Sequence, residues 1–125
     1  MSLSRQDLGR WGEDQAEQYL LRRGYAIVGR NVRTRYGEID LVARQESASG
    51  AATVFVEVKT RRSAAYGLPE EAVTARKQAH LLAAAQSYLQ AHPELDGDWR
   101  VDVIAIRKER AGQAAEITHF ENAVT

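Results

Sequence analysis

VFVEVKT, Val54 to Thr60, is the stretch on which the fold turns. Five of its seven residues are β-branched or aromatic, the composition of a buried strand. Glu57 and Lys59 interrupt it, and ionised side chains are rarely buried without a partner. Side chains alternate across a strand, so Phe55, Glu57 and Lys59 share one face while Val54, Val56 and Val58 take the other. One face is wholly apolar, and the other carries a carboxylate and an amine. That pattern predicts either a solvated ion pair or a site.

The preceding segment has the same pattern. GEIDLVAR reads as a strand from about Glu38 to Arg44, with Glu38, Asp40 and Val42 on one face and Ile39 and Leu41 on the other. Between the two strands, QESASGAA reads as a small, polar, flexible loop. A hairpin symmetric about Ala48–Ser49 sets Asp40 opposite Glu57 and Glu38 opposite Lys59. Opposed Cβ atoms in such a pair lie about 4.5–5.5 Å apart, where two carboxylates repel. A divalent cation removes that repulsion, and Mg²⁺ suits one or two carboxylates completed by water and phosphate oxygens. A slip of one residue would part the acids to opposite faces. Glu13 precedes Ala16 and Leu20 by three and seven residues, on the edge of a helical apolar stripe, so it can join them.

The chemistry expected of this set is phosphodiester hydrolysis. A metal, Mg²⁺ or Mn²⁺, on Asp40, Glu57 and Glu13 would polarise the phosphodiester and acidify a bound water. Lys59 would stabilise developing charge. Arg33, Arg35, Tyr36, Arg61, Arg62 and Lys77 are the expected nucleic-acid contacts, of the kind that position a backbone without reading its bases. The bland alternative is a structural ion-pair cluster with solvated basic faces.

Outward from the hairpin, a first helix is expected from about Arg5 to Arg23, capped by Ser4 and stopped by Gly24. A short strand follows over about Tyr25–Asn31, then the turn TRYG. After the VFVEVKT strand, LPEEAVTARKQAHLLAAAQSYLQAH reads as one long helix. Pro69 falls in its first turn, Glu70 and Glu71 at its positive end, and Val73, Leu81, Ala84, Ala85, Tyr88 and Leu89 on its buried stripe. WRVDVIAIRK is a further strand, and EITHFEN a last, edge strand. Asp102 is expected to pair with an arginine in a structural role, and Trp11 and Trp99 to pack in the core or at its rim. His80, His92 and His119 do not fall at zinc-ligand spacing.

GEIDLVA followed by FVEVKT resembles the PD-(D/E)XK nuclease superfamily, closest to archaeal Holliday-junction resolvases. Glu13, Gly24-Tyr25, Asp40-Leu41-Val42 and Glu57-Val58-Lys59 match their pattern, with Ile39 where the superfamily's name has proline. The resemblance implies a restriction-endonuclease-like α/β fold with an αβββαβ core, and catalysis by Asp40, Glu57, Lys59 and Glu13. Cleavage of DNA, branched DNA included, would follow, and a homodimer is left open. GRWGEDQAEQYL, RYGEIDLVA, VFVEVKTR, AVTARKQ and RVDVIAI also resemble blocks of the YraN-like bacterial proteins. Two other functions stay open: a binding module that keeps the fold without cutting, and an RNA or tRNA endonuclease.

Bulk composition bounds these readings. With 125 residues, 44% of them hydrophobic, one domain from residue 1 to 125 is expected. The absence of cysteine excludes disulfides and thiolate metal sites. No apolar run approaches the roughly 18 residues of a membrane span, and the start lacks a signal-peptide core, so a cytoplasmic location is expected. The formal net charge of zero argues against coating nucleic acid by bulk charge, though not against a locally basic groove.

Overall fold

The computed structural model describes residues 4–61, 73–108 and 114–125. Helix α1 spans Arg5–Arg22 and begins where the Ser4 hydroxyl accepts the Asp7 N–H at 3.1 Å. It ends as expected at Gly24, whose φ of +88° is the left-handed geometry that suits glycine. Strands β1 (Ala26–Thr34), β2 (Gly37–Ser47) and β3 (Gly50–Arg61) follow, then α2 (Ala75–Ala91), β4 (Asp98–Arg107) and β5 (Glu116–Val124). The αβββαβ order is therefore the observed one, with β5 added at the edge. The five strands form one mixed sheet in chain order, antiparallel except for the parallel β3–β4 pair that α2 connects.

Residues of the two sheet faces form two apolar clusters. On one side Ala16 and Leu20 of α1 meet Leu41, Ala43, Val54, Val56, Ile104 and Ile106. On the other, Leu81, Ala84, Ala85 and Tyr88 of α2 meet Val42, Phe55, Val101 and Val103. Trp11 and Trp99 pack at the rims. Because α2 covers the face that carries Glu57, that face is not the solvent-facing one that a charged strand face ordinarily is. Among the described residues, no helix is long and apolar enough to cross a membrane.

Three expectations need correction. The polar stretch 45–52 is mostly strand, since β2 runs to Ser47 and β3 starts at Gly50, leaving only Ala48 and Ser49 in the turn. Cross-strand pairing (Gln45 with Ala52, Glu46 with Ala51) outweighs the weak β-propensity of these residues. The second helix starts at Ala75, because Thr74 caps it by accepting the Lys77 N–H; Val73 is buried just ahead of it. The proposed first turn at Pro69, Glu70 and Glu71 lies outside the described residues. Ile39 joins the α2 side of the core, not the side of Leu41. Ile39 pairs with Val32 and Leu41 with Arg30; between those partners lies Asn31, which has a φ of +52° and is unpaired in the β1–β2 ladder opposite Asp40.

Helix α1 lies close to β3 because Gly12 has no side chain. A Cβ there would stand 1.9 Å from Thr60 Oγ1 and 3.0 Å from both its Cβ and its Cγ2, so rotating the threonine brings no relief. Gly12→Ala is expected to destabilise the protein by about 1–3 kcal/mol, the usual cost of overpacking, although alanine favours helix. Chemical denaturation checks this; an equal or higher midpoint would refute the close approach.

Candidate active site

The hairpin register is the one that the symmetric turn predicts. Leu41 pairs with Val56, Val42 with Phe55, and the ladder continues to Ser47 with Gly50. Beyond Leu41 and Val56 the paired residues stop, and there the Asp40 side chain takes over a ladder bond: its Oδ2 accepts the Val58 N–H at 2.8 Å. A cleft of about 750 Å³ opens at this point, lined by Arg5, Leu8, Gly9 and Glu13 from α1, by Asp40, and by Glu57 to Arg61 of β3.

Glu57 is buried, with 4% of its surface exposed. Its Oε1 meets Lys59 Nζ at 3.0 Å and Lys77 Nζ, from the first turn of α2, at 3.3 Å. Two ammonium groups on one carboxylate oxygen supply the partners that burial of this charge requires. Asp40 is less well served. Burial pushes its carboxyl up from 3.8 to about 7, and the Glu57 charge adds to the rise. The Val58 N–H works against it, Glu13 raises it further and Lys59 lowers it. Glu13 is half-buried in the cleft wall, where its Oε1 lies 3.5 Å from Arg30 Nη2. Arg30 also holds Asp14 at 2.7 Å, a contact that ties α1 to β1.

The structure thus gathers Asp40, Glu57, Lys59, Glu13 and Arg61 around one cleft. Lys77 lies on α2 and reaches Glu57 directly. Tyr36 does not line this cleft; with Lys77 and His80 it borders a separate hollow of about 90 Å³. Arg35 lies over the Tyr36 ring at 5.3 Å, and Arg33 is exposed on β1 opposite Glu38. Arg62 lies outside the described residues. Sequence reasoning missed Arg5, Leu8 and Gly9, whose spacing with Gly12 and Glu13 (i, i+3, i+4, i+7, i+8) marks a single helix face.

Hard carboxylate oxygens suit Mg²⁺ or Mn²⁺ rather than zinc. The donors that fit are Asp40 and Glu57, whose mutual repulsion a divalent cation would relieve. Among the described residues no group of three or more His, Cys, Asp and Glu side chains is placed to hold a metal. Glu13 lines the same cleft, with its Oε1 3.5 Å from Arg30 Nη2.

Residues 12–106 match the profile of the family described as "Uncharacterised protein family UPF0102". A UPF0102 protein of Syntrophotalea carbinolica is 51% identical over 124 residues, covering 98% of this chain and 95% of that relative. Another, from Syntrophomonas wolfei, is 47% identical over 117 residues, covering 94% and 96%. Among solved structures, Pyrococcus furiosus SfsA in complex with Ca²⁺ is 18% identical with a TM-score of 0.37, covering 91% of this chain and 62% of that one. The structural likeness is too loose to bear on the site, whereas the sequence matches run nearly end to end. On that match over residues 12–106 the chain belongs to the uncharacterised protein family UPF0102.

Proposed function

We propose that this chain is a divalent-cation-dependent nuclease that hydrolyses phosphodiester bonds in DNA, with branched DNA as its preferred class. The observation that carries the reading is that Asp40 and Glu57 line one open cleft together with Lys59. Asp40 and Glu57 would hold Mg²⁺ or Mn²⁺. Bound there, the cation supplies Lewis-acid polarisation of the phosphodiester and an acidified water. Lys59, which faces the same cleft and borrows Glu57 as its counter-ion, donates to the charge that develops on phosphorus-bound oxygen. Lys77 keeps Glu57 oriented from the α2 side when Lys59 turns to substrate. Arg5 and Arg61 line the same cleft and would supply phosphate contacts. Glu13 screens the cleft from Arg30.

The test incubates four-way-junction, flapped, linear and single-stranded DNA, and RNA, with Mg²⁺, Mn²⁺ or EDTA. Cation-dependent cutting of DNA, with junctions preferred, is expected. Lys59→Ala should slow it by about 10²-fold or more, the scale of losing one donor to developing charge. Binding of nucleic acid without cutting of any substrate would leave a non-catalytic module. Cutting of RNA alone would make the chain a ribonuclease. Either outcome overturns the proposal.

A further inference from the structure

A glycine inside a helix costs about 0.5–1 kcal/mol relative to alanine. Helix α1 has two in its N-terminal half, and they differ. Gly12 is required by Thr60. Gly9 has no such reason, because a Cβ built on it meets no heavy atom within 4 Å. Its backbone lies within regular α1 and is not among the glycines of positive φ, so no unusual conformation calls for glycine either. What Gly9 does is line the cleft, between Arg5 one turn earlier and Glu13 one turn later.

Building on the nucleic-acid reading above, we infer that Gly9 is where the sugar–phosphate backbone of a bound strand rests against α1. The missing side chain leaves bare helix backbone as the cleft wall. A side chain there would enter open space in the cleft that Gly9 shares with Arg5, Arg61, Asp40 and Glu57. The ligand this fits is a polyanionic chain. The cleft sets Arg5, Lys59 and Arg61 beside its carboxylates, so phosphates can be held next to the group being brought to the acids. A compact small molecule would need a side chain on α1 to close against it. A strand lying along the wall needs clearance instead. On this reading the helix has given up stability at Gly9 for access.

The experiment uses the full chain, with Gly9→Ala and Gly9→Met, and two readouts. Thermal unfolding should give melting temperatures equal to or above that of the native protein, since both replacements are better helix formers and a Cβ at position 9 meets no heavy atom within 4 Å. Affinity for a fluorescent, cleavage-resistant phosphorothioate four-way junction in Mg²⁺ should fall by about tenfold for alanine and further for methionine, on the scale of one or more methylenes intruding on a fitted contact. Native-like affinity in both variants overturns the inference and leaves the nuclease reading standing. Melting temperatures below native also overturn it, because Gly9 would then serve the fold. A native protein that binds no junction overturns both.

Discussion

Asp40→Asn is expected to lower DNA cleavage by about 10²-fold or more while making the protein more heat-stable at pH 8. The first effect follows from removing one of the two carboxylates that fit the cation. The second follows from the Asp40 environment. Burial, together with the Glu57 charge, raises its carboxyl from 3.8 to about 7. Between those values the folded protein holds a proton that the unfolded chain has released. Stability therefore falls as pH rises through this window and stays reduced above it. Below about 3.8 both states are protonated and the difference vanishes. Asparagine carries no charge at any pH, and its side-chain oxygen can still accept the Val58 N–H that Asp40 holds at 2.8 Å. The variant's advantage should grow between about pH 4 and 7 and then level off, reaching at least about 1 kcal/mol, or a melting temperature about 4 °C higher. Thermal melts at pH 5 and pH 8 measure it, and equal advantages at the two values would count against the strained carboxylate. The cation offers a readout independent of turnover. Mg²⁺ at about a hundred times its dissociation constant stabilises the folded state by about 2.7 kcal/mol. That gain should appear in the native protein at pH 8 and be lost in Asp40→Asn.

The hairpin register was legible in the sequence because a hairpin of this kind has one symmetric centre. Ala48–Ser49 is that centre, and every residue pair from Leu41–Val56 to Ser47–Gly50 obeys it. The helix faces were legible for a similar reason, since Ala16 and Leu20 repeat at helical spacing and are fully buried. Ile39 was not. It lies past the last β2–β3 pair and across from the left-handed Asn31, backbone features that alternation within one strand does not encode. The start of α2 was obscured because Pro69 and two glutamates make as plausible a first turn as Thr74, and only the Thr74 hydroxyl on the Lys77 N–H decides it. That placement also determines which way Lys77 points, and so its contact with Glu57. Asp102 was read as the partner of an arginine, and Arg100 Nε does lie 3.0 Å from its Oδ1. His119 at 2.7 Å was beyond reach of the sequence, because it depends on how the edge strand is registered against β4.

That buried network carries the largest stability effect expected of a single polar substitution among the described residues. Asp102 is fully buried, and it accepts from Arg100, from His119 Nε2 and from the backbone N–H of Asn122 at 2.8 Å. Arg100 extends the network to Gln45 at 2.9 Å and to the Tyr25 hydroxyl at 2.9 Å, while His119 Nδ1 lies 3.3 Å from the Tyr19 hydroxyl. One carboxylate thereby ties α1, β2, β4 and β5 together. It sits where the β4–β5 register shifts between Val101 and Val103, and Asn122, with φ of +51°, turns its N–H onto it. Burial alone would raise the Asp102 carboxyl, but the hydrogen bonds from His119, Asn122 and Arg100 outweigh it and hold the group below its ordinary 3.8. The stability it contributes is therefore complete above pH 3.8 and is lost as pH falls through its depressed folded value. Asp102→Asn places an amide where acceptors are needed and leaves Arg100 only the exposed Glu121, 3.9 Å away, as counter-charge, which should cost about 3–5 kcal/mol at pH 7. Against the native protein the deficit should shrink in strong acid. The loss should be greatest in the edge strand, where amides of Glu116–Val124 should exchange with solvent faster than those of β2 and β3. Asp102 does not line the cleft, so the folded fraction of the variant should cut DNA at the native rate. A variant that melts like the native protein would show that His119 and Arg100 find other partners. A loss of cutting in variant protein that is still folded would instead extend the site across the sheet to β5.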